Sequence, residues 1–176
     1  MSKSVLISIK PQWCELIASG EKIVEVRKTR PKRETPFKVY IYCTKGRGDC
    51  LWRWNGIWYD TQDPSHRPNR LDGKVIGEFV CDQIDEIGYS PEMHGKYISD
   101  IDDIHYVSCV DFEQMFDYLA DGYGYGWHIS DLVIYDKPKE LSEFHHCYTG
   151  ENIDRSGYPL GSRMRCAPQS WCYVEE

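Results

Sequence analysis

The sequence predicts an α+β domain in which short strands form a small mixed β-barrel and short helices pack over its openings. Three observations lead there. Short runs rich in β-branched and aromatic residues recur along the chain, separated by glycine, proline and asparagine. Only a few brief stretches show helical spacing. Strands and helices do not alternate as βαβ units, and no glycine-rich phosphate loop follows a strand. The last point excludes a doubly wound nucleotide-binding sheet.

Val5 to Ile9 reads as a strand ended by Lys10-Pro11. Pro11 suits a first helical position, Trp13, Leu16 and Ile17 follow at helical spacing, and Gly20 is placed to end the helix in the left-handed conformation. Lys22 to Lys28 returns as a strand, with Ile23, Glu25 and Arg27 on one face and Val24 and Val26 on the other. Lys38 to Thr44 is the next strand. The Trp-rich runs 51–54 and 57–60 flank Asn55-Gly56, a type I′ turn sequence. Their pairing sets Trp54 opposite Ile57, Arg53 opposite Trp58 and Trp52 opposite Tyr59.

Residues 61–72, with Pro64 and Pro68, read as a loop. Lys74 to Ile84 reads as one long strand in which Gly77 marks a bulge or a close backbone approach. Residues 88–105 read as acidic and irregular. Asp111 opens an amphipathic helix that runs to Leu119. A glycine–tyrosine turn over Gly122 to Gly126 leads into a strand from Trp127 to Tyr135. A short helix over Lys139 to Phe144, a loop over 145–168 and a last strand from Gln169 to Val174 complete the chain.

A chain of 176 residues is expected to form one domain and to bury a core without metal or disulfides. Hydrophobic residues at 41% and charged residues at 28% are ordinary for a soluble protein. The 13 Tyr and 6 Trp favour a β-rich fold with broad aromatic surfaces. No apolar run approaches the roughly 20 residues of a membrane span, and the N-terminal apolar stretch is too short for a signal peptide. The expected compartment is the cytoplasm, with no membrane partner and with the eight cysteines as thiols. Net charge is −7, but residues 1–50 hold 11 Lys/Arg against 5 Asp/Glu, whereas the other 126 hold 10 against 23. One basic section on an acidic chain suits a local anionic site better than general coating of nucleic acid. Its densest part is Arg27 to Arg33, with five basic residues in seven.

The run SIKPQWCELIASGEKIVEVRK, Ser8 to Lys28, resembles the signature of ASCH domains, relatives of the PUA modules. The distinctive pattern is a strand ending in Lys-Pro, a helix, then Gly-x-Lys-x-x-Glu-x-Arg, here Gly20, Lys22, Glu25 and Arg27. The segments from Gly73 (GKVIGEFVCDQI), Tyr125 (YGWHISDLVIYDKP) and Ala167 (APQSWCYVEE) are also similar to the family, and residues 45–72 and 145–165 are the least covered. The resemblance implies a PUA-like β-barrel over residues 1–176, a cleft beside the Gly-x-Lys-x-x-Glu-x-Arg segment, and RNA or a modified nucleoside as ligand. No cofactor is expected, and the oligomeric state is not legible.

The ligand-binding residues expected on this reading are Lys10, Lys22, Glu25, Arg27, Lys28 and Trp127. Lys22 suits a phosphate or carbonyl oxygen, and Arg27 offers a planar fork for phosphate or a base edge. Glu25 suits an exocyclic amine, as acidic side chains do with cytosine. Opposite charges two apart on a strand face also suit a plain ion pair, worth about 0–1 kcal/mol if exposed.

Some small bacterial ASCH proteins are amidohydrolases that remove the acetyl group from acetylcytidine, and the resemblance extends to their motif of a Lys and a Thr three residues apart. Lys22 falls on the Lys position, but Glu25 stands where the Thr nucleophile is expected. A carboxylate serves as a base or nucleophile, not by the same hydroxyl route. A binding module is therefore favoured. The alternative is an amidohydrolase-like enzyme using Lys22 and Glu25, with Glu78, Glu92 or Glu113 as a third residue. A further alternative is a protein adaptor built on the Trp hairpin, whose rings and Arg53 also suit base stacking.

His145, His146, Cys147, Cys166 and Cys172 lack the tight C-x2-C pairs of zinc sites, so no metal is expected. Cys147 beside His145 and His146 is a poor nucleophile candidate, because catalytic Cys–His pairs come from distant segments. His128 is expected to hydrogen-bond within the fold.

Overall fold

The computed structural model describes residues 3–45, 71–92, 97, 99, 101, 103–120, 122–147 and 161–175, together with the backbones of 51–54, 57–60, 93, 96 and 98. The chain divides into two compact units. One comprises Met1–Glu15, Lys38–Phe79 and Leu132–Glu176, the other Leu16–Phe37 and Val80–Asp131.

The first unit is organised by β1 (Ser4–Ile9), every residue of which is buried. A continuous apolar run of this kind suits a strand covered on both faces. It pairs in parallel with β3 (Phe37–Cys43) and antiparallel with β12 (Trp171–Glu175). Two further long strands, β6 (Lys74–Cys81) and β10 (Ser130–Lys139), and the short β11 (His145–His146) complete a six-stranded sheet in the order β10-β6-β3-β1-β12-β11. Its core contains Leu6, Tyr40, Tyr42, Val75, Leu141, Phe144, Met164 and Val174. Gly77 is the close approach the sequence suggests, since a Cβ there would lie 2.4 Å from the Val133 carbonyl oxygen. The strands β4 (Leu51–Trp54) and β5 (Ile57–Asp60) pair in the expected register, Trp54 with Ile57 and Trp52 with Tyr59. Their side chains, on which the stacking and adaptor readings rest, lie outside the described residues, as do residues 61–70 of the expected loop.

Helix α1 (Pro11–Ser19) begins at Pro11 as its sequence requires and ends at Gly20, whose φ of 81° is open to glycine at little cost. The Gly20 N–H donates to the Ile17 carbonyl at 3.0 Å, and the Lys22 N–H reaches back to that of Leu16 at 2.9 Å. This closure turns the chain directly into β2 (Val24–Arg27).

The second unit is a four-stranded sheet in the order β2-β9-β7-β8, with β7 at Ile84–Ser90, β8 at Lys96–Ile98 and β9 at Tyr123–His128. It carries α2 (Ile104–Ser108) and α3 (Phe112–Leu119). Asp111 starts α3 with a reciprocal capping box: its carboxylate accepts from the Gln114 N–H at 2.8 Å, and the Gln114 side chain accepts from the Asp111 N–H. Met115 and Leu119 form the buried stripe of the helix.

The α+β class holds, with the described strands assigned to a six-stranded and a four-stranded sheet besides the hairpin, and no ladder among them closes into a barrel. Four local expectations are corrected, the first being the loop over 145–168, which opens with strand β11 paired to β12. The run 74–84 is two strands rather than one, β6 ending at Cys81 and β7 beginning at Ile84. The acidic stretch 88–105 holds the end of β7, all of β8 and the start of α2, because cross-strand partners such as Tyr89 and Tyr97 order a segment with no apolar alternation. The expected glycine–tyrosine turn is strand β9, and the chain breaks at Ile129 before β10. The alternation Tyr-Gly-Tyr-Gly-Trp explains the last case. A Cβ on Gly124 would meet Leu119 at 2.7 Å, and one on Gly126 would meet Ile101 at 2.7 Å. The glycines are needed on one face for close packing, not for a turn.

Among the described residues no helix is long and apolar enough to cross a membrane, and no disulfide joins the described cysteines.

Candidate nucleic-acid interface

The antiparallel register of β2 on β9 pairs Val24 with His128, Glu25 with Trp127, Val26 with Gly126 and Arg27 with Tyr125. The next strand sets Ile84 against Trp127, Glu86 against Tyr125 and Gly88 against Tyr123. Directly paired residues share a face. One face thus holds Glu25, Arg27, Tyr123, Tyr125, Trp127 and Glu86. The other holds Val24, Val26, Gly124, Gly126 and Ile87, where Leu119 and Ile101 approach the glycines. Val24 and Val26 are buried, as their alternation requires.

Glu25 is the centre of a buried ion cluster. Its Oε2 lies 3.2 Å from Lys22 Nζ and its Oε1 lies 2.8 Å from Arg27 Nη2. Lys22, Glu25 and Arg27 are only 2%, 5% and 7% exposed. Lys22 Nζ also donates to the carbonyl of Val24 at 2.9 Å and to that of Ser108 at 2.6 Å. An ammonium has three N–H donors, so each has an acceptor here. Lys22 thereby ties the end of α2 to β2 and holds the Glu25 carboxylate in place. The ion pair that the strand spacing allows does form, but its weight is not that of an exposed pair. Removing one partner of a buried pair costs about 3–5 kcal/mol, because the charge left behind has lost both water and partner.

Aromatic rings and cations continue around this cluster. Trp127 is fully buried and meets Phe37 edge-on, with ring centroids 6.0 Å apart. The Arg33 guanidinium lies 5.3 Å from the Phe37 ring centre and that of Arg30 lies 5.7 Å from the Tyr125 ring. Lys28 Nζ is 5.4 Å from the Tyr118 ring. Burial pushes the Tyr118 phenol above its ordinary range; Arg27, which donates to its oxygen, pulls the other way, and the Glu25 charge adds to the rise. Tyr123 is 74% exposed.

Five of the residues singled out in the sequence, Lys22, Glu25, Arg27, Lys28 and Trp127, therefore fall together in the second unit. Lys10 belongs to the first, exposed ahead of α1. Tyr118, Tyr123 and Tyr125 were not legible as site residues. The signal for the latter two was the Tyr-Gly-Tyr-Gly-Trp alternation, a strand pattern hidden by its glycines. Tyr118 had no such signal, because only the packing of α3 brings it to Arg27. His128 bonds within the fold, its Nε2 lying 2.6 Å from Asp85 Oδ2, while Gln83 donates to the same carboxylate at 2.9 and 3.0 Å.

Of the three carboxylates considered as a third catalytic group, Glu92 and Glu113 are exposed. Glu78, in the first unit, is bound by Lys38 Nζ at 2.7 Å and by the Tyr135 hydroxyl. Burial pushes the Glu78 carboxyl up, but hydrogen bonds from Lys38 and Tyr135 and the charges of Lys38 and Lys139 outweigh it, and the group rests below the usual carboxylate range. A carboxyl depressed in the folded state stabilises the fold above its unfolded pKa, and that contribution disappears as pH falls through the folded value. Glu78→Gln is therefore expected to be less stable than the parent at neutral pH, with the difference shrinking through the acid range. Urea denaturation from pH 7 down to pH 3 checks this, and a difference independent of pH would contradict it.

Among the described residues no group of three or more His, Cys, Asp or Glu is arranged to hold a metal ion. His146 and Cys147 are buried. Burial, together with the Asp82 charge, pushes the Cys81 thiol up to about 12, which keeps it protonated and inert.

Neither a protein-family model nor a curated protein matches the sequence. Solved structures do match. The crystal structure of an ASCH protein from Zymomonas mobilis matches with a TM-score of 0.51 at 16% identity, over 98% of this chain and 88% of that one. The chain has an ASCH-like fold. Two variants of the same ASCH protein, one with a tyrosine changed to phenylalanine and one with a serine changed to alanine, match at 17% identity and a TM-score of 0.51. They cover 99% and 98% of this chain and 92% and 89% of those. At such low identity the ASCH likeness concerns the fold, and the residues of the β2–β9 face must speak for themselves.

Proposed function

We propose that this ASCH-like protein binds single-stranded RNA, reading one base on the β2–β9 face of its second unit. The observation that carries the reading is the company Glu25 and Arg27 keep. The buried acid and guanidinium share a sheet face with the exposed ring of Tyr123 and with Tyr125, under the basic run that follows β2. Exposed aromatic rings on a sheet face accept bases by stacking, and flanking cations track the phosphates. Lys28, Arg30 and Lys32 are exposed and suit that second task. Arg27 and Glu25, more than nine-tenths buried, are out of reach of a phosphate backbone. They suit the edge of a single inserted base, natural or modified, with Glu25 accepting from an exocyclic amine and Arg27 donating to a ring or carbonyl acceptor.

Binding is favoured over hydrolysis by the Lys22 geometry. All three of its N–H donors are engaged within the fold, so none is left to polarise a substrate carbonyl. Acetylated cytidine incubated with the protein should remain intact. Turnover abolished by Glu25→Gln would instead support the amidohydrolase reading.

The affinity for a fluorescent oligo-cytidine should fall as salt rises, since each phosphate contact releases counterions. Lys32→Ala with Arg33→Ala should reduce the slope of log affinity against log salt by about 0.7 for each phosphate no longer neutralised, without altering base preference. Arg27→Lys should alter base preference with little change in slope. The absence of binding to any single-stranded RNA at low salt would defeat the proposal.

A further inference from the structure

The opposite side of the second unit has a different chemistry. On α3, Phe112 and Phe116 stand one turn apart, 40% and 49% exposed, with ring centroids 6.0 Å apart and stacked. Tyr89 reaches both, at 6.4 and 5.8 Å, and Tyr97 meets Tyr89 at 5.5 Å and Phe112 at 5.8 Å. His105 closes the group at 6.1 Å from Tyr97 and 6.2 Å from Phe112. Five rings thus form one continuous cluster whose outer members are open to solvent. Tyr89 lies one residue from Gly88, which pairs with Tyr123, so its ring is on the sheet face away from Tyr123 and Arg27.

The charge around these rings has one sign. Glu113 and Asp117 each follow an exposed phenylalanine on α3, and Glu92 is exposed just after β7. A face of this charge repels phosphates, so the nucleic acid proposed for the other side does not suit it. Its complement is a cation with a flat surface to lay on a ring. The arginine guanidinium is planar, weakly hydrated and stacks on aromatic faces, whereas the lysine ammonium is a strongly hydrated point charge.

We infer that the Phe112–Phe116 face is a docking surface for an arginine-rich peptide segment of a partner protein. Guanidinium groups stack on Phe112, Phe116 and Tyr89 while Glu113, Asp117 and Glu92 supply the counter-charge. The inference stands apart from the RNA reading, because it uses the other side of the sheet.

The test is fluorescence anisotropy of a labelled nine-residue peptide alternating arginine and glycine, titrated with the full chain at low and moderate salt. The expected result is binding that weakens with salt and is stronger than that of the lysine counterpart. Phe116→Ala should weaken it about tenfold, and Glu113→Gln with Asp117→Asn should weaken it and flatten its salt dependence. Both variants alter exposed positions, and an unchanged thermal melt verifies their folding. Tyr123→Ala, on the opposite face, should leave peptide affinity unchanged. The inference is overturned if the peptide does not bind at low salt, or if folded Phe116→Ala binds it as well as the parent. It is equally overturned if Phe116→Ala abolishes binding of oligo-cytidine, which assigns the face to RNA. A parent that sediments as a dimer, with Phe116→Ala a monomer, identifies a second copy of the chain as the occupant and also overturns it.

Discussion

Glu25→Ala is expected to lower stability by about 3–5 kcal/mol, the largest effect expected of any single substitution in this chain's ion cluster. The carboxylate neutralises two cations that are themselves more than nine-tenths buried, Lys22 at 3.2 Å and Arg27 at 2.8 Å. Alanine leaves both positive charges in a dry setting with no anion between them. For a chain of this length such a loss lowers the melting temperature by about 10 °C. Circular dichroism melts, with urea titrations for the free energy, measure it. Glu25→Gln retains the shape and one acceptor for Lys22 but not the charge, so it should fall between the parent and Glu25→Ala. A loss below about 1 kcal/mol for Glu25→Ala would mean that water reaches the cluster and that the pair behaves as an exposed one.

Tyr123→Ala carries the largest expected effect on ligand binding without a matching effect on the fold. The ring is 74% exposed, so its removal sacrifices little packing. If a base stacks on it, the loss is about 1–3 kcal/mol, or roughly 5- to 150-fold in affinity for oligo-cytidine. Tyr123→Phe should bind like the parent, because stacking uses the ring and not the hydroxyl. Tyr125→Ala should also weaken binding, and it additionally removes the ring beneath Arg30. Affinity for oligo-cytidine unchanged in Tyr123→Ala would move the RNA-binding surface away from this face.

The sequence by itself determined the elements whose cause is local. Pro11 and Gly20 bound α1 because one fixes φ at a helix start and the other accepts the positive φ at its end. Asp111 with Gln114 starts α3 through hydrogen bonds within one turn. Asn55-Gly56 set the hairpin register, and the Val24, Val26 alternation identified the apolar face of β2. The Gly-x-Lys-x-x-Glu-x-Arg spacing singled out Lys22, Glu25 and Arg27 as a unit. What tertiary structure alone decided has non-local causes. That Glu25 and Arg27 are dry, and that their pairing is therefore costly to break, follows from Ser108, Trp127 and Tyr118, which lie about 80 to 100 residues further on in the sequence. The strand identity of Tyr123–His128 likewise depends on Leu119 and Ile101 filling the space above Gly124 and Gly126. Glycine's intrinsic preference there is for a turn, and packing across the sheet overrides it. Burial and pairing are properties of neighbours in space, and the order of residues along the chain specifies them only once the chain has folded.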